Sequence, residues 1–357
     1  MRTKHKPNPN RALRFKNYAA QMKSTIATNT EAITLEPTNA KAFFERAFAL
    51  NVLGKKKLAI ADFTKGLEIQ PKNANILNTM AYIKITLKDY TGAFADLNRA
   101  IEIDPTQHEY WFNRGFASFR TGEMHDAIDD FNKSIELCSR NDNAWYFRGQ
   151  AKSYLGYPDA AIEDFGKAIE YRPNYGFAYY RRATEKHVVE DYLGAIVDYN
   201  KALKLDRRLT DIYHERAMAK DGLGCHEEAI KDYNKAIEYE PDCEALYYNR
   251  ALAKSDLGDL TGAMEDYRKT LELNPKYTYA HINLGVCKYL KKDFEGALKQ
   301  FTLGIESNPK DCSPYFSRGA LKIELGDRYS GLKDLCIAKS LGSKDACELL
   351  EEMEYGE

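Results

Sequence analysis

Seven prolines of this chain, Pro37, Pro71, Pro105, Pro173, Pro241, Pro275 and Pro309, are separated by 34 residues or a multiple of 34. Ser139 and Arg207 stand on the two beats where proline is missing. A fixed period of this length confines the chain to a stack of like units. One such unit cannot bury its apolar face alone and must lean on the next. Counting from Ala40, nine full periods end at Asp345.

Aligned by this period, the residues fall into columns. Position 8 is always Ala or Gly, from Ala47 through Gly149 to Gly319, and position 20 does the same from Ala59 to Gly331. Position 4 is bulky (Phe43, Trp111, Trp145, Tyr179), and so is position 24 (Phe63, Phe131, Tyr199, Tyr267). Position 15 is glycine at Gly54, Gly122, Gly156, Gly224, Gly258 and Gly326. Small residues let two helices approach closely, and large neighbours fill the space beside them. Glycine permits the tight turn between the helices. Proline at position 32 ends the second helix, since it lacks an N–H and restricts the residue before it.

Bulky 4, small 8, small 20, aromatic 24 and proline 32 on a 34-residue period resemble the tetratricopeptide repeat (TPR) family over residues 40–345. The resemblance implies an all-α fold: a right-handed superhelical solenoid of antiparallel helix pairs, with first helices lining a concave groove. The expected organisation is a basic arm over 1–30, partly disordered or helical. A degenerate half-repeat follows over 31–39, then nine repeats over 40–345 and a capping helix over 346–357.

Arginine recurs at position 7, where a helix should face its own hairpin. In an antiparallel pair whose turn is at 15, position 7 faces position 23. Arg46, Arg114, Arg148, Arg182, Arg216, Arg250 and Arg318 each have an aspartate sixteen residues on: Asp62, Asp130, Asp164, Asp198, Asp232, Asp266 and Asp334. Where position 7 is Leu284, position 23 is Gln300, while Met80 faces Asp96. The first reading is a ladder of structural ion pairs, because a half-buried guanidinium needs a partner and its planar fork suits a carboxylate. A row of arginines that binds phosphates or carboxylates is the rival. Position 11 carries Lys84, Lys152, Lys186, Lys220, Lys254, Lys288 and Lys322. These are expected to lay their stems on apolar surface with the ammonium in water; a basic stripe is the alternative.

The resemblance places partners against first-helix positions 2, 5, 9 and 12. Here these columns give an aromatic zone in repeats one to three: Phe44, Phe48, Tyr82, Phe112, Phe116 and Phe119, with Asn78 among them. Rings supply buried area and an amide can bond a peptide backbone, which suits an extended peptide or a partner helix. The bland alternative is that some of these side chains pack on the next repeat. Repeats eight and nine turn apolar again (Tyr279, Ile282, Val286, Tyr289, Phe316, Ile323), a candidate homodimer contact. The carboxylate clamp of chaperone-binding family members needs lysine at 5 and asparagine at 9. Neither column contains one, so a chaperone-tail adaptor is not expected.

Other chemistries find little support. There is no phosphate loop, nucleophile elbow or H-E-x-x-H, so no enzyme, cofactor or metal is expected. His187, Asp211, His214 and Asp221 form the one suggestive metal cluster, and a solvated polar zone explains them more simply. The seven cysteines show no C-x-x-C spacing and read as reduced thiols, which with the absence of a membrane span points to the cytoplasm. Lysine plus arginine is 52 against 53 acids. The arm (Arg2, Lys4, Lys6, Arg11, Arg14, Lys16, Lys23) has no acid, so the remainder is acidic. A nucleic-acid-associated repeat protein using the arm is therefore the second reading, behind a non-catalytic scaffold for a protein or peptide partner.

Overall fold

The structure is a computed structural model that describes residues 9–206 and 210–355, with side chains described from residue 17 to 353. The start of the basic arm and the proline-free beat at Arg207 lie outside the described residues. Among the described residues there are twenty α-helices and no strands. The chain divides into two compact units, residues 1–178 and 179–357.

The first unit opens with a continuous helix, Pro9–Leu35, that covers both the described part of the arm and most of the 31–39 segment. Hairpins follow, the first being Ala40–Val52 with Lys56–Ile69. The second unit repeats the plan, for example Glu244–Asp256 with Leu260–Leu273. It ends in the helix Lys344–Tyr355, whose Ala346, Leu349, Leu350 and Met353 join the last hydrophobic cluster.

The columns explain the packing. Alanines at positions 8 and 20, such as Ala47, Ala59, Ala251 and Ala263, are fully buried. Phe63, Phe131, Phe165, Tyr199 and Tyr233 at position 24 fill the space between the helices. At Gly319 a Cβ would stand 2.9 Å from the carbonyl oxygen of Gly331. Small residues are therefore a condition of helix approach. Five second helices start where the aspartate at position 16 accepts the N–H of position 19, as Asp89 does from Gly92 (3.0 Å) and Asp259 from Gly262 (2.9 Å). They end on an extended residue at position 31, such as Asp104 before Pro105. Cys138 takes the same conformation before Ser139, so the fold imposes this ending without proline.

Position 15 is left-handed in all nine hairpins. Six use glycine, and Lys88, Glu190 and Lys292 adopt φ of 64°, 63° and 63° in the other three. A side chain there costs about 1–2 kcal/mol relative to glycine, partly offset by the looser unfolded chain. Lys88→Gly and Lys292→Gly are each expected to stabilise the protein by about 0.5–1 kcal/mol, read as a raised midpoint in thermal unfolding.

Candidate functional site

Each position-7 arginine reaches its aspartate in a two-pronged bond. In the first unit, Arg114 Nε and Nη2 donate to Asp130 Oδ2 and Oδ1 at 2.9 and 2.7 Å. Arg46–Asp62 and Arg148–Asp164 repeat it. The second unit does the same at Arg182–Asp198, Arg216–Asp232, Arg250–Asp266 and Arg318–Asp334. The aspartates are buried, and the fork satisfies both carboxylate oxygens at once.

A third bond escapes the hairpin logic. The remaining prong, Nη1, reaches sixteen residues back into the preceding repeat: Arg114 to Asn98 (2.8 Å), Arg148 to Asn132 (2.6 Å) and Arg250 to Asn234 (2.6 Å). Arg46 and Arg318 use Thr30 and Thr302 in the same way. One side chain thus neutralises its own hairpin and ties it to the one before. The column of Asn and Thr at position 25 was the available sequence signal.

The lysines at position 11 correct the expectation of a wet ammonium. Lys84, Lys152, Lys186, Lys220, Lys254 and Lys322 bring Nζ to 2.6–2.9 Å of the same position-23 carboxylates. Lys288, opposite Gln300, turns to Asp293 at 2.6 Å instead. The aspartate sits twelve residues on, within reach of a curled stem, and two cations answer its burial better than one. Where Arg is replaced by Met80, Lys84 alone holds Asp96.

Three of these carboxylates depart from the ordinary aspartate range. Burial pushes Asp130, held by Arg114 alone, above the ordinary aspartate range. Burial also raises Asp96, held by Lys84 alone. Burial likewise acts on Asp334, but hydrogen bonds from Arg318 and Lys322 outweigh it and bring the group below that range.

The aromatic zone is rearranged relative to the sequence expectation. Phe44 is only 7 % exposed and lies over Gly66 near Phe63, so it belongs to the core. The oxygen of Asn78 accepts from Asn113 Nδ2 at 2.7 Å, so that amide joins adjacent repeats. Phe48 and Tyr82 remain open, at 43 % and 52 % exposed. Phe112, Phe116 and Phe119 are half-buried and converge on a ring that the groove columns omitted. Phe147 lies 6.0, 4.9 and 5.7 Å from them and 5.2 Å from Tyr146. Phe147 stands at position 6, where neighbouring repeats carry polar side chains. Arg120 lies over the Phe116 ring at 5.9 Å.

Of the suggested metal cluster, His214 meets Asn249 through Nε2 (3.1 Å), while Asp221 meets His226 Nδ1 at 2.6 Å. Among the described residues no three His, Cys, Asp or Glu side chains are grouped to hold a metal ion. Of the apolar residues in repeats eight and nine, Ile282 is buried, while Tyr279 and Val286 are exposed.

Three tetratricopeptide-repeat profiles match the chain: one over residues 74–107, 108–141 and 142–175, a TPR repeat over 223–258 and a third over 245–277. With the hairpin geometry, this decides the family. The chain is a tetratricopeptide-repeat protein. Among solved structures, this TPR protein is similar to the C-terminal part of a TPR repeat-containing protein from Cytophaga hutchinsonii (16 % identity, 66 % of this chain and 98 % of that one, TM-score 0.57). It also matches a tetratricopeptide repeat protein from Parabacteroides merdae (20 % identity, 78 % and 97 % covered, TM-score 0.48) and MamA from Desulfovibrio magneticus (20 % identity, 47 % and 95 % covered, TM-score 0.46). No curated protein matches its sequence.

Two stability predictions follow from the ladder. Arg114→Ala strands the Asp130 carboxylate and should cost about 3–5 kcal/mol, whereas Arg250→Ala should cost less because Lys254 still holds Asp266. Comparing the two in urea unfolding checks this. The pH dependence should carry opposite signs at two rungs. The lowered Asp334 contributes stability above the unfolded pKa and loses it as pH falls through its folded value. The raised Asp130 contributes below the unfolded pKa and loses it as pH rises through its folded value. On acidification, the wild type should therefore lose ground to Asp334→Asn and gain ground on Asp130→Asn in thermal unfolding.

Proposed function

We propose that this TPR protein is a non-catalytic interaction scaffold that grips a peptide or helical partner segment on the first helices of its first unit. The observation that carries the reading is the Phe147 cluster: half-buried rings at van der Waals range, with Phe48 and Tyr82 open on neighbouring repeats. Clustered aromatic side chains of this kind supply most of the energy at protein interfaces. The nucleic-acid alternative is weakened by the lysines, since those at position 11 are occupied by carboxylates and form no free basic stripe. No helix among the described residues is long and apolar enough to cross a membrane.

The test is selection of peptides from a random display library on the intact chain, followed by affinity measurement. Phe116→Ala with Phe119→Ala should weaken the selected peptides about thirtyfold or more, with little change between low and moderate salt. Binders indifferent to both changes, or lost on adding salt, would defeat the proposal. Phe44→Ala is unsuitable here because it opens the core.

A further inference from the structure

Position 11 of repeat three is Ser118, where six other hairpins bring a lysine onto the position-23 carboxylate. In three of those six, Nζ also donates to the carbonyl of position 19. Lys84 reaches Gly92 and Lys220 reaches Glu228 at 3.3 Å, and Lys254 reaches Gly262 at 3.4 Å. Carboxylate and carbonyl together make a seat for an ammonium, and the hairpin fills it from its own first helix. Repeat one closes the seat by volume, since its position 11 is the buried Leu50. Repeat three does neither.

In repeat three the seat is a cavity of about 330 Å³ within the first unit. Ser118, Asp126 and Asp130 line it at positions 11, 19 and 23, with Asp129 and Arg114 beside them and Phe94 and Asn98 across from repeat two. Arg114 is the one cation among these, and its prongs are already spent on Asp130 and Asn98. Asp126 and Asp129 are exposed at the rim. Burial raises the Asp130 carboxyl, Arg114 opposes this, and the charges of Asp126 and Asp129 push it further up. A second cation would relieve the strain on that carboxylate, as it does at Asp334.

A separate observation points to the same place. Ser118 is only 4 % exposed, and among the described residues its hydroxyl makes no hydrogen bond. Serines within helices commonly turn the hydroxyl back onto the preceding turn; this one lines the cavity instead. A buried hydroxyl without a partner is costly, and a donor bound beside it recovers that cost. Among the described residues no three His, Cys, Asp or Glu side chains are grouped to hold a metal ion, so the seat suits an ammonium better than a bare cation. We propose that this cavity binds a primary ammonium on an alkyl stem, in the place that the other hairpins fill with their own lysine. The ammonium donates to Asp130 Oδ2, the Asp126 carbonyl and the Ser118 hydroxyl, and the Phe94 ring flanks the stem. The site shares no residue with the Phe147 cluster and stands or falls apart from it.

The experiment titrates the full chain, labelled with ¹⁵N, with n-butylammonium chloride and follows the amide resonances of Ser118 and Asp126. A saturable shift with a dissociation constant of order millimolar is expected, the affinity that a fragment of about five heavy atoms can reach. Asp130→Asn should weaken it about tenfold. Ser118→Lys should abolish it and raise the unfolding temperature, because the chain then supplies the missing ammonium. Ser118→Leu should abolish it by volume alone, as Leu50 closes the seat of repeat one. Nα-acetyl-lysine methylamide and spermidine separate the sources: tighter binding of the first assigns the site to a peptide lysine, of the second to a free polyamine. Butanol or magnesium chloride shifting the two amides as strongly as butylammonium, unchanged binding in Ser118→Lys, or no saturable shift at all would overturn the proposal.

Discussion

A buried carboxylate between two helices is the constraint that organises eight of the nine hairpins of this protein. Left alone in that position, the aspartate at 23 would destabilise the fold by several kcal/mol. Arginine at 7 answers it with two prongs and turns the third toward the repeat before. Lysine could neutralise the charge but lacks a rigid fork to hold both directions at once. The same side chain therefore sets the spacing inside a hairpin and the register between hairpins. At Asp334 the second cation, Lys322, joins Arg318, and their hydrogen bonds outweigh burial and lower the carboxylate.

That arrangement also decides what remains for recognition. The recurring cations of the first helices are spent on the protein's own aspartates, so the repeats offer no basic stripe. The first unit is left with rings gathered around Phe147. The repeat fixes the backbone and leaves positions such as 6 to vary. Phe147 and Glu215 occupy the same column, position 6, in which Asn113, Asn249 and Asn283 join neighbours.

The resemblance to the solved Cytophaga hutchinsonii structure, at 16 % identity, carries the fold and no more. What the two units bind has to come from side chains particular to this chain. Misplacing Phe44 and Asn78 shows the difficulty. Both stand in columns that face the groove on average, yet one sank over Gly66 and the other was taken by Asn113. Position in a repeat gives direction; the size and polarity of the neighbours decide exposure.

The sequence alone determined the helix pairs, their turns and the partner of each arginine. These depend on spacing within one hairpin, and spacing is written in the chain. The tertiary structure alone decided the bonds that cross from one repeat to another. Asn113 to Asn78 and Tyr110 to Asn75 join residues 35 apart, and Arg114 reaches back to Asn98. Such pairs depend on the offset with which hairpins stack, which no single period reveals. Phe147 as a hub belongs to the same class. Its role follows from what the neighbouring helix places against it, a matter of volume and burial in three dimensions.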